Sequence, residues 1–138
     1  MNHTEVALLG YISLMLVLIF TLASYRSALT LSGKRSANSF SPTGDDVSEL
    51  SKRLCRAHAN CYEAFPMVGG ILLFALATNN TAITDPLAMI LIGARVLQSF
   101  THLASTSVLA VYLRFAFFVV QLAIVIYWML LFFGHLSV

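Results

Sequence analysis

Arg56-Ala57-His58-Ala59-Asn60-Cys61-Tyr62-Glu63-Ala64-Phe65-Pro66, continuing through Met67 to Ala77, sets three strongly polar side chains at helical spacing in a stretch otherwise apolar enough to cross a membrane. At about 100° per residue, Asn60 and Glu63 fall about 40° and 20° to either side of Arg56, and Glu49, Arg53 and Met67 land within about 60° of the same line. The sequence therefore predicts a narrow polar stripe along a membrane helix. Ionisable side chains facing acyl chains cost several kcal/mol, so the stripe is expected to face a protein interior or a wet cavity and to mark function.

Composition agrees with that setting. Of 138 residues, 59% are hydrophobic and only 10% charged, too little polar surface to cover a soluble globule of this size. Val6 to Ser24 and Phe115 to Phe133 carry no charge, and each matches the roughly 20 residues that about 30 Å of hydrocarbon requires. Two less pure segments lie between them. The reading is a single all-α domain over 1–138, a bundle of four transmembrane helices with spans at about 6–25, 49–78, 85–104 and 113–134.

Charge sets the expected orientation. Met1 to Glu5 holds no Lys or Arg, and the positive charges follow the first span at Arg26, Lys34 and Arg35, which describes an uncleaved anchor more closely than a signal peptide. All eight Lys and Arg residues fall in the first loop, at the start of helix two, within helix three or at the start of helix four. The positive-inside rule then puts the first and third loops in the cytoplasm and both termini outside. Lys34 and Arg35 suit anionic headgroups. Compactness and the absence of retention signals favour a bacterial inner membrane, with periplasmic termini.

Local chemistry places the helix ends. Asp46 with Glu49 resembles a capping box for helix two, Asn79-Asn80 should end it, and Asp85-Pro86 should open helix three with a carboxylate cap and a first-turn proline. Ser36 to Gly44 has a flexible composition. Pro66 removes the helical partner of the Tyr62 carbonyl within a turn of Glu63, predicting a kink, while Gly69-Gly70 would admit close helix packing.

Helix three repeats the polar pattern more weakly. Arg95, Gln98, Ser99 and His102 share one face, and Arg114 opens helix four. Glu63 is the one acid expected within the hydrocarbon, so a Glu63–Arg95 ion pair is the cheapest arrangement for two buried charges. Arg53, Arg56, Arg95 and Arg114 outnumber that acid. An anionic ligand is the natural occupant, because guanidinium forks match carboxylates.

These residues carry a family resemblance. Arg56-Ala57-His58-Ala59-Asn60-Cys61-Tyr62-Glu63-Ala64-Phe65-Pro66 resembles the helix-two signature Arg-x-x-x-Asn-x-x-Glu-x-x-Pro of the membrane-associated proteins in eicosanoid and glutathione metabolism (MAPEG). Ala94-Arg95-Val96 and Arg114 are similar to that family's next landmarks, and the length and four short-looped spans match a bacterial-type member. The resemblance implies a homotrimer that binds glutathione between subunits on the cytoplasmic side, with a lipophilic small molecule or membrane lipid as the other partner and no nucleic acid. Carried over residue by residue, it implies that Arg56, Asn60 and Glu63 hold the glutathione peptide, Arg95 supports the neighbouring polar network, and Arg53 and Arg26 are further carboxylate contacts. His102, counted with the ligand-binding residues, reads either as a substrate-side hydrogen-bonding group or proton donor or as a packed histidine bonded to a neighbour. Arg114 would be the catalytic group facing the sulfur.

The implied activity is a membrane-bound glutathione transferase or peroxidase acting on a lipophilic electrophile. A thiol with pKa about 8.5 is mostly protonated at neutral pH, and lowering it by about two units needs roughly 2.7 kcal/mol, within reach of one desolvated guanidinium. The thiolate would then attack an electrophilic carbon. The alternative is a non-catalytic lipid-binding or scaffold member of the same family. Several catalytic branches have serine after the helix-four arginine, where this chain has Phe115, tyrosine on helix three near Thr101 and His102, and tyrosine at Ala64. An ion pathway lined by Glu63, Arg95 and His102 is disfavoured, since one isolated acid makes a poor relay.

The remaining polar residues have simpler readings. Cys55, His58 and Cys61 share an arc but match no usual zinc spacing, and the two cysteines, two turns apart on one helix, are badly placed for a disulfide. Gln121 reads as interhelical glue. Tyr127 and Trp128, with His3 and His135 beyond them, read as an interfacial belt.

Overall fold

The structure is a computed structural model and describes residues 1–136, residue 136 by its backbone alone. Four helices run in sequence: α1 (His3–Leu31), α2 (Glu49–Ala77), α3 (Thr81–Ala104) and α4 (Val108–Leu136). Each contains a window long and apolar enough to cross a membrane. At 1.5 Å per residue the 29-residue helices reach about 44 Å, so they overrun the hydrocarbon by two to three turns in all. That excess carries the polar ends.

α1, α2 and α3 pack against one another, while α4 lies mainly on α3, touches α2 and makes no close approach to α1. The core gathers Leu8, Tyr11, Leu18, Ala57, Cys61, Val68, Leu72, Ala88, Leu91, Ile124 and Trp128. Trp128 is fully buried within it, so it anchors α4 to the bundle and belongs to no interfacial belt; Tyr127 is the exposed ring of the pair. Gln121 Nε2 donates to Gln98 Oε1 at 2.9 Å, the interhelical bond expected of it.

The helix ends differ from the sequence reading in instructive ways. Asn2 and Glu5 form a full capping box on α1. α2 is capped by Ser48, whose hydroxyl accepts from the Ser51 N–H, and Asp46 instead meets Arg35 at 2.9 Å. α3 begins at Thr81, a turn before Asp85-Pro86, because Asp85 serves a different helix. Its Oδ1 accepts from both the Thr4 N–H (2.8 Å) and the Thr4 hydroxyl (2.6 Å), closing a first-turn donor of α1 across 81 residues of chain. Asn79 takes the positive φ of 55° that turns the chain from α2 into α3.

The connection between α1 and α2 is held by side chains despite its flexible composition. Arg35 donates to Asp46, to its backbone carbonyl and to Ser39, while Arg26 donates to the Ser41 carbonyl at 2.8 Å. Both guanidinium groups flank the Phe40 ring, 5.4 and 5.5 Å from its centroid. The Thr43 hydroxyl donates to Asp45 and holds that exposed carboxyl below the usual carboxylate range. Gly44, at φ +70°, packs so closely that a Cβ would lie 2.7 Å from Cys55 Sγ and 2.8 Å from the Ser51 carbonyl.

Candidate functional site

α2 sets the site by its rotation. Ala57, Cys61, Ala64 and Val68 face the core, a line about 110° from Arg56 on a helical wheel. Asn60 and Arg53 lie at the near edge of that buried face, and Arg56 and Glu63 lie beyond it. Asn60 and Arg53 therefore reach α3, whereas Arg56 and Glu63 are exposed on the outer flank of the bundle. The polar stripe is continuous along α2, but half of it points away from the interior of its own chain.

This rotation removes the expected Glu63–Arg95 ion pair. Among the described residues the ion pairs are those of the N-terminus with Glu5 and of Arg35 with Asp46. Arg95 is 1% exposed, its Nη1 donates to Asn60 Oδ1 at 2.9 Å, and its guanidinium sits 5.2 Å from the centroid of the Tyr11 ring. Amide and aromatic face stand where a carboxylate was expected. A buried guanidinium is stabilised by both, through a charge-assisted hydrogen bond and through the ring quadrupole.

Tyr11 is the residue that sequence reasoning missed. Its hydroxyl donates to the Cys61 carbonyl at 2.8 Å, and its ring meets Phe65 at 5.4 Å. Phe65 in turn lies over Gly69, where a Cβ would come within 2.6 Å of the ring. The glycine thus seats an aromatic ring of its own helix, and α2 runs unbroken through Pro66. A lone tyrosine within the uncharged Val6 to Ser24 run was the available signal.

A second pair forms at the basic end of the bundle. Arg114 Nη1 lies 3.0 Å from His102 Nδ1, and Arg114 Nε donates to the Ala110 carbonyl one turn back. Arginine has no acceptor, so Nδ1 must accept and the imidazole proton sits on Nε2. Arg53 donates to the Ala104 carbonyl at 3.1 Å, closing the C-terminal end of α3, and Arg26 approaches Cys55 Sγ at 3.4 Å. Cys55 and Cys61 are separate free thiols.

The arrangement thus splits the predicted site residues. Asn60 joins Arg95, and His102 joins Arg114; Arg53 is held at a helix end; Arg56 and Glu63 have no hydrogen-bond or ion-pair partner among the described residues. Among the described residues, the basic end offers several guanidinium groups without carboxylate partners, and the outer face of α2 offers two carboxylates without a cation, Glu49 at its start and Glu63 further along.

Fold and site together define a four-span α-helical integral membrane protein with one arginine buried in its core and further arginines gathered at one end. The MAPEG family model matches residues 5–134, and the chain belongs to that family. No curated protein and no solved structure matches it.

Proposed function

We propose that this protein is a membrane-bound glutathione-dependent transferase or peroxidase acting on a lipophilic electrophile, with its site completed by a second protomer. The family includes such enzymes alongside non-catalytic members. The observation that carries the reading is the exposure of Arg56 and Glu63 on a helix of membrane-spanning length, with no hydrogen-bond or ion-pair partner among the described residues. Charged groups so placed need a cover, and a neighbouring subunit with a zwitterionic, dicarboxylate peptide between the two would supply one. Glu63 would take the glutathione amino group and Arg56 a carboxylate. Asn60, braced by Arg95, would hold the peptide backbone, with Arg53 and Arg26 as further carboxylate contacts.

Arg114 would stabilise the thiolate. Its Nη2 is not engaged in the bonds to His102 and Ala110, so the guanidinium keeps a donor for sulfur while the other two fix its plane. His102 would act by holding Arg114 in place. A second reading, a non-catalytic lipid-binding or scaffold role, is favoured by the exposed Phe115 directly after Arg114, where a hydroxyl would otherwise assist the sulfur.

Conjugation of glutathione to a general electrophile, followed in detergent or nanodiscs, separates the two. Turnover by wild type and its loss in Arg114→Ala supports the enzyme. Glutathione binding without turnover supports the second reading, and no binding at all contradicts the first.

A further inference from the structure

Five buried side-chain atoms have no hydrogen-bond partner among the described residues, and two of them, on the packed helices α3 and α4, are complementary. Arg95 uses Nη1 for Asn60, and its Nε–H meets no acceptor among the described residues. Gln121 is 2% exposed, and its Nε2 donates both to Gln98 Oε1 at 2.9 Å and to the Phe117 carbonyl at 2.8 Å. The Phe117 carbonyl fixes the amide, because turning Gln121 over would set oxygen against oxygen there. Gln121 Oε1 is left buried, with no hydrogen-bond partner among the described residues.

Arg95 and Gln121 line one narrow crevice between α2, α3 and α4, walled by Ala64, Val68, Phe118 and Val125, with room for about one water molecule. An occupant that satisfies both atoms would accept from Arg95 Nε and donate to Gln121 Oε1. A halide fails the second requirement, a cation fails the first, and an acyl chain fails both. A neutral hydroxyl satisfies both, and the size of the crevice selects water.

We propose that one internal water bridges Arg95 Nε and Gln121 Oε1, and that Gln121 is thereby a positioning residue for Arg95 and, through the 2.9 Å bond, for Asn60. The bridge completes a polar network that touches every helix: Tyr11 on α1, Asn60 on α2, Arg95 and Gln98 on α3, and Gln121 on α4. A guanidinium held at Nη1 alone can swing about its long side chain. Held at Nε as well, it fixes the Asn60 amide at the edge of the stripe. The bridge stands on its own; the positioning role rests on the glutathione reading above.

The test pairs a map with a binding measurement. An experimental structure of the wild type, at a resolution that places waters, should show one peak within hydrogen-bond distance of both atoms, and Gln121→Leu should lack it. An acyl chain, a neighbouring protomer's side chain or no density in the wild-type crevice overturns the bridge. By calorimetry, Gln121→Leu should weaken glutathione binding about tenfold, whereas Gln98→Leu, which loses the same α3–α4 bond but leaves the bridge, should stay within about threefold. Equal losses would reduce Gln121 to interhelical packing and overturn its positioning role. A wild type with no affinity for glutathione would sink the functional reading and the positioning role with it, while the water peak would still decide the bridge.

Discussion

Arg95 and Arg114 have the same charge and opposite surroundings, and the difference sets what each can do. Arg95 is buried under Tyr11 with an amide partner, out of direct reach of an external ligand. Arg114 is half-buried, oriented by His102 and its own helix, and retains a free donor group. If Arg114 supplies about two units of thiol acidification, Arg114→Ala should lower the rate at neutral pH by roughly 100-fold, a deficit that shrinks as pH approaches the thiol's own pKa. A pH-rate profile of the two proteins checks this. Glu63→Gln should instead act on binding, weakening glutathione about tenfold by loss of one charge-assisted bond, as calorimetry would read. The residue types at these positions were legible in the sequence. Their pairing was not, since periodicity fixes angles along one helix and says nothing of how that helix is rotated against the next.

The helices themselves were largely legible because each contains an apolar window of membrane length, but their ends were not. Asp85-Pro86 has the form of a helix start, and only the folded chain shows that the carboxylate is recruited by Thr4 at the head of α1. Asp85→Ala should therefore destabilise α1 packing by about 1–2 kcal/mol, seen as a lower melting temperature in detergent, although the residue lies on α3. The α1–α2 connection offers a second check. Gly33 and Gly44 both have positive φ, +72° and +70°, but only Gly44 is packed against Cys55 and Ser51. Alanine at Gly33 should cost about 1 kcal/mol from backbone conformation alone, and alanine at Gly44 clearly more. Equal losses in thermal melts would show that the connection is not packed as described.

At the scale of the whole molecule, one protomer leaves two kinds of surface exposed, and they ask for different environments. Leu16, Val17, Phe20, Leu130 and Phe133 are apolar and suit acyl chains. Arg56 and Glu63 on α2 do not, and the sequence expectation of a homotrimer gives them a place to go. Native mass measurement from a mild detergent should then give three chains per particle, and charge reversal at Glu63 should weaken that assembly together with glutathione binding. The most direct measurement is an experimental structure in lipid with glutathione bound. The account predicts the Glu63 carboxylate within ion-pair distance of the ligand amine or of a guanidinium across a subunit boundary, with Arg114 facing the sulfur. Glu63 surrounded by acyl chains, with the tripeptide elsewhere or absent, would contradict it.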